Sequence, residues 1–127
     1  MSATNFPEYT QEIEEILNAT VASGEAALIS IQIDQRSALR GYITGLLQFG
    51  DASELHFREF VDTSGPEPRL MYAYHYQDQN KALIFRYDNA THRPLLSQAE
   101  HKHTPAGAQI TSAPTLAQVI DEVLKSL

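Results

Sequence analysis

Cysteine is absent from this chain of 127 residues. That excludes a disulfide framework and any thiolate metal site, and it fits a reducing compartment. Long apolar runs are absent as well, since no stretch approaches the ~20 residues that a membrane span needs. The opening "MSATNFPEYTQEIEE" lacks the charged-then-apolar layout of a secretory signal. The expectation is a soluble, cytoplasmic protein with no membrane partner. Basic residues are scarce: nine Lys and Arg stand against 16 Asp and Glu, for a net charge of −7. Non-specific nucleic-acid binding runs on many Lys/Arg–phosphate contacts, so a body this acidic does not bind that way. A single local patch can still hold an anion. The chain also lacks a P-loop, a G-x-G-x-x-G turn, a G-x-S-x-G elbow, an H-E-x-x-H helix and Cys/His finger spacing. No internal repeat or low-complexity tract is present.

What is there suits a folded protein. The hydrophobic content of 43% is ordinary, and the length suits one domain over residues 1–127. In "NFPEYTQEIEEILNAT", Phe6, Tyr9, Ile13, Ile16 and Leu17 follow helical spacing, with Asn5 placed to cap, Pro7 in the first turn and Glu8 at the capping-box position. Period-two runs follow in "AALISIQID", "ALRGYITGLLQF" and "ELHFREFV", and two more, "RLMYAYHYQ" and "ALIFRYD", flank a turn at "DQNK". The last element, "TLAQVIDEVLKSL", has an apolar stripe and a Thr115–Gln118 capping box. The fold class expected is α+β: an antiparallel meander of about five strands flanked by an N-terminal and a C-terminal helix, with one face covered.

Charge is unevenly placed. Residues 1–35 carry Glu8, Glu12, Glu14, Glu15, Glu25 and Asp34 and no Lys or Arg, whereas residues 81–103 carry Lys81, Arg86, Arg93 and Lys102 against only Asp88 and Glu100. A hairpin centred on Gln79 and Asn80 would set Tyr74 opposite Phe85 and Tyr72 opposite Tyr87. That gives an aromatic face, and a second face on which His75 and Arg86 are diagonal neighbours and Asp88 lies close by. The segment after Asp88 has little repetitive pattern and runs some two dozen residues. Long irregular segments in compact domains are usually functional or disordered. This one brings His92, His101, Lys102 and His103, which can fold back over the His75/Arg86/Asp88 face.

Three chemistries suit that set. Metal-free cleavage of RNA through its own 2′-hydroxyl needs a base and an acid near neutral pKa, the work of histidine, and fixed cations for the phosphate charge, the work of Arg86 and Lys102. Asp88 would orient Arg86 or fix a histidine tautomer. The candidate catalytic residues are therefore His75, Arg86, Asp88, His92, His101, Lys102 and His103. A metal site is the second chemistry. His101 and His103 point the same way if that segment is extended, and His92, His75 or Asp88 could complete the ligands. No metal or other cofactor is expected; were one bound, His92, His101 and His103 would hold it. The third is structural, with polar groups satisfying a loop. His56 is read as structural.

"YAYHYQD", "LIFRYDNATH" and "EHKH", in that order, resemble the TumE-type toxin family of toxin–antitoxin modules. The resemblance covers about residues 8–126 in layout, with its specific motifs within 72–103. It falls on Tyr74, His75, Tyr76, Arg86, Tyr87, Asp88, Asn89, His92, His101, Lys102 and His103. The chain departs from the family's pattern at Ala99 and Glu100, where Pro and His often precede H-K-H. The resemblance implies a toxin encoded beside a helix-turn-helix antitoxin, its protein partner, and a ribonuclease-like activity with RNA as substrate. The alternative is a non-catalytic domain that binds a partner protein, an anion or a metal through the same patch. The oligomeric state, a dimer among the options, stays open.

Overall fold

The computed structural model describes residues 3–89 and 100–127. It contains α1 (Phe6–Ala22), β1 (Ala26–Gln35), β2 (Arg40–Phe49), β3 (Glu54–Asp62), β4 (Arg69–Gln77), β5 (Leu83–Asp88), β6 (His101–Thr104), β7 (Gly107–Ile110) and α2 (Leu116–Ser126). The strands form one sheet in chain order, β1 through β7, every neighbour antiparallel. The class is the expected α+β, but the sheet has seven strands, not five. The two extra strands are only four residues each. Four residues carry too little alternation to stand out as strands, so the sequence reading left them in the irregular segment.

The helix caps explain where the helices begin. The Asn5 side chain accepts the Glu8 amide at 2.9 Å, and Thr115 and Gln118 form a reciprocal capping box, a pairing that satisfies two otherwise unpaired amides. Both helices pack on the same face of the sheet. Cross-strand rows make that face apolar: Leu47–Leu55–Tyr76–Phe85 is one and Gly45–Phe57–Tyr74–Tyr87 the next. Phe6, Ile13 and Leu17 of α1 and Leu116, Val119, Ile120 and Val123 of α2 join them in one core. Close approach requires glycine at two places. A Cβ on Gly41 would lie 2.1 Å from the Phe6 ring and one on Gly45 2.2 Å from the Phe57 ring, far inside van der Waals contact.

The β4–β5 register differs from the expected one by two residues. His75 faces Arg86 directly and Tyr74 faces Tyr87, with an irregularity between Tyr76 and Gln77. Lys81 sits in the left-handed region at φ 68 and lengthens the turn, in the manner of hairpins that close through a bulge. A shift of two preserves side-chain parity, so the aromatic face and the His75/Arg86/Asp88 face remain separate, as expected from the alternation.

Candidate functional site

The opposite face carries the polar groups, and among the described residues no helix packs against it. Two adjacent cross-strand rows define it. The first runs Leu46–His56–His75–Arg86–His103 across β2 to β6, and the second Thr44–Arg58–Ala73–Asp88–His101. Alternation along each strand dictates this grouping, because residues two apart share a face. The face is hollowed into a concavity of about 560 Å³ lined by His56, Arg58, Ala73, His75, Gln77 and Arg86 among others. Ala73, buried between Arg58 and Asp88, leaves the floor open.

His75 lies at the centre. Its ring stands 6.4 Å from that of His56, edge to face. Its Nδ1 is 3.4 Å from an Arg86 guanidinium nitrogen, and its Nε2 is 3.2 Å from Gln77 Oε1. A guanidinium only donates, which makes Nδ1 the acceptor and puts the proton of the neutral ring on Nε2, toward Gln77. The Gln77 amide in turn donates to Glu54 at 3.0 Å, and Lys81 pairs with the same carboxylate. Burial of the imidazole, and next the Arg86 charge, hold His75 below its ordinary value of 6.5. Replacing Arg86 with Gln should therefore raise the His75 pKa. The rise should stop short of the ordinary value, because burial is the larger cause and stays. Titration of the His75 ring protons by NMR reads this directly; an unchanged or lower value contradicts the assignment.

Asp88 organises the far end. Arg86 Nε donates to Asp88 Oδ2 at 2.9 Å, His103 Nε2 lies 3.4 Å from the same oxygen, and His101 Nδ1 lies 3.9 Å from Oδ1. Asp88 is thus placed to hold Arg86 in the hollow. Donor atoms of Asp88, His101 and His103 all lie within 4.8 Å of one another. Asn89, the next residue, bridges to β4: its Oδ1 accepts the Tyr72 amide at 3.0 Å and its Nδ2 donates to the Leu70 carbonyl at 3.2 Å. It pins the end of β5 beside the Leu70 bulge, where β3–β4 pairing shifts register.

The sequence-derived candidates therefore separate. His75, Arg86, Asp88, His101 and His103 share the open face. Lys102 does not. In an extended H-K-H the middle side chain must point away from its neighbours, so Lys102 lies over the Phe85 and Tyr87 rings at 5.3 and 5.1 Å and donates to Glu122 of α2 at 2.8 Å. It fastens β6 to α2 and does not reach the hollow. His92 lies outside the described residues. His103 sits two strands from His75, roughly 10 Å at the backbone for strands ~4.8 Å apart; the near imidazole is His56. The sequence reading set His56 aside and overlooked Arg58. Their parity, opposite to Leu55, Phe57 and Val61, was the available signal.

The chain matches the family described as Toxin TumE over residues 13–127, nearly its whole length. The protein belongs to the TumE toxin family. No curated protein and no solved structure matches it. Membership makes this a toxin and points to an antitoxin as partner. No described helix of this TumE-family chain is long and apolar enough to cross a membrane.

Proposed function

We propose that the toxin acts as a metal-independent ribonuclease, cleaving RNA through the substrate's own 2′-hydroxyl in the hollow of the open sheet face. The observation that carries this reading is the pair of imidazoles, His56 and His75, 6.4 Å apart with Arg58 and Arg86 in the same hollow. In-line displacement puts the attacking and leaving oxygens on opposite sides of phosphorus. A base and an acid facing each other across the bound phosphate suit that geometry. His75, held neutral by burial and by Arg86, takes the 2′-hydroxyl proton at Nδ1, the nitrogen that lacks one, once the Arg86 guanidinium has turned from Nδ1 to the phosphate. The 2′-oxygen attacks phosphorus, the bond to the 5′-oxygen breaks, and protonated His56 gives that oxygen its proton. Arg58 and Arg86 hold the non-bridging oxygens, where negative charge is concentrated. Asp88, assisted by His101 and His103, positions Arg86. Products are a 2′,3′-cyclic phosphate and a 5′-hydroxyl.

The test is incubation of the purified chain with single-stranded RNA in excess chelator, with end-group analysis. Cleavage to cyclic-phosphate ends is the expected result. Absence of cleavage, or cleavage only with added divalent cation, defeats the reading. One observation favours a second reading, a metal-binding toxin: Asp88, His101 and His103 bring a carboxylate and two imidazoles together, a donor set suited to zinc or nickel. Asp88 then replaces His92 in the ligand set expected from sequence. Metal retained by the purified protein and lost on His101→Ala separates it from the first.

A further inference from the structure

The open face carries a third row beyond the two that hold the imidazoles and arginines. It runs Asp34–Tyr42–Phe60–Met71 across β1 to β4. Tyr42 and Phe60 are partly exposed, with ring centroids 5.8 Å apart at 73°. Their position on this face is unlike that of the other paired rings. Phe49, Tyr72, Tyr74, Tyr76, Phe85 and Tyr87 all belong to the core under the helices, whereas these two stand on the face that no described helix covers. Each is two residues along its own strand from a residue of the hollow, Tyr42 from Thr44 and Phe60 from Arg58. Two residues of strand correspond to roughly 7 Å. A partly exposed aromatic pair beside Arg58, at the edge of a hollow that also holds Arg86, is the combination single-stranded nucleic acid uses: cations for the phosphate, a ring face for the base. The pair also continues a hollow that is cationic on a chain of net charge −7. A basic or acidic peptide would not need the rings, and a duplex would keep its bases stacked on each other and out of their reach.

We propose that Tyr42 and Phe60 form a base-stacking platform for the nucleotide next to the phosphate held by Arg58 and Arg86, so that the substrate class is single-stranded RNA. This rests on the ribonuclease reading above. The platform positions and binds; it takes no proton.

The chain contains no tryptophan, so Tyr42→Trp installs a single reporter. The probe is a short 2′-O-methyl RNA single strand, which keeps phosphates and bases but cannot be cleaved through the blocked hydroxyl. Binding to the otherwise intact protein is followed by tryptophan emission, and by anisotropy of a labelled strand for the wild type. The expected result is quenching that saturates with the anisotropy signal, and binding about 5- to 100-fold weaker in Phe60→Leu and Tyr42→Leu, the loss that one stacked base carries. A duplex of the same sequence should compete poorly. Strand binding without quenching, with the leucine variants binding as tightly as wild type, overturns the platform and leaves the ribonuclease reading standing. Equal competition by the duplex overturns the substrate class. If a leucine variant fails to fold, the Tyr42→Trp quenching alone decides. Absence of cleavage in the earlier assay, with quenching present here, removes the ribonuclease and keeps the platform.

Discussion

His75→Ala should lower kcat/KM for RNA cleavage by about 10²–10⁴-fold, the range that one positioned acid–base group contributes. His56→Ala should fall in the same range. Because the two imidazoles act on one displacement, the double variant should lose far less than the product of the single losses. The pH profile distinguishes chemistry from a structural role. The acidic limb of the bell reports the group that must be neutral, here His75. Burial and the Arg86 charge hold it below the ordinary histidine value of 6.5, so the acidic limb of kcat/KM should fall below that pH. His75→Ala should abolish the acidic limb, and the thermal midpoint should move little in His56→Ala, whose side chain is exposed. A variant that loses activity but keeps the full bell would mean that the missing imidazole is not the group titrating, and the assignment would be wrong.

Parity is what made much of this face readable beforehand. The alternation in "RLMYAYHYQ" and "LIFRYD" separates tyrosines from His75 and Arg86 under any register that differs by an even number of residues, so a two-residue error in the turn did no harm to the faces. The error itself was not legible. It depends on Lys81 adopting a left-handed backbone, which Gly or Asn would have signalled and lysine does not. β6 and β7 were hidden for another reason: β6 is held by pairing with β5 across the intervening segment and β7 by pairing with β6, and pairing leaves little local pattern in four residues. The same pairing decides that His101 and His103 meet Asp88 while Lys102 meets Glu122. His56 needed knowledge of which residue of β4 it faces, and the bulge at Leu70 shifts the β3–β4 register at its far end. Glu59 was the one local anomaly that went unread, a carboxylate at a core-parity position between Phe57 and Val61.

That carboxylate leads to the largest stability effect expected. Glu59 is 1% exposed and accepts hydrogen bonds from the hydroxyls of Tyr9 and Tyr74. Burial raises its pKa above the ordinary 4.5, and the two hydroxyls and the Arg69 charge only partly oppose this. Arg69 is the nearby cation. It donates to Tyr74 Oη at 3.0 Å and to the Pro114 carbonyl, pairs with Glu67 at 3.2 Å, and lies over the Tyr72 ring at 4.8 Å. It therefore joins β4 to the segment that leads into α2. Arg69→Met, which keeps the apolar stem but removes the charge, should destabilise by about 3–5 kcal/mol near neutral pH, as when one partner of a buried charged network is deleted. The sign with pH follows from proton linkage. With its pKa raised, folded Glu59 holds its proton above the pH at which the unfolded chain releases it, so stability falls as pH rises from 4.5 through the folded value. Without Arg69 that folded value moves higher and the loss continues further. Glu67 adds in the same direction: burial works to raise its pKa, but hydrogen bonds from Arg69 outweigh this and lower it, so the stability it contributes above the ordinary value disappears with Arg69. The destabilisation should thus be greater at pH 8 than at pH 4 in guanidinium unfolding, and Glu59→Gln placed in the Arg69→Met background should recover most of Glu59's pH-dependent part. A penalty of the same size at both pH values would assign Arg69's role to packing on Tyr72 and to the Pro114 bond, leaving the buried carboxylate out of it.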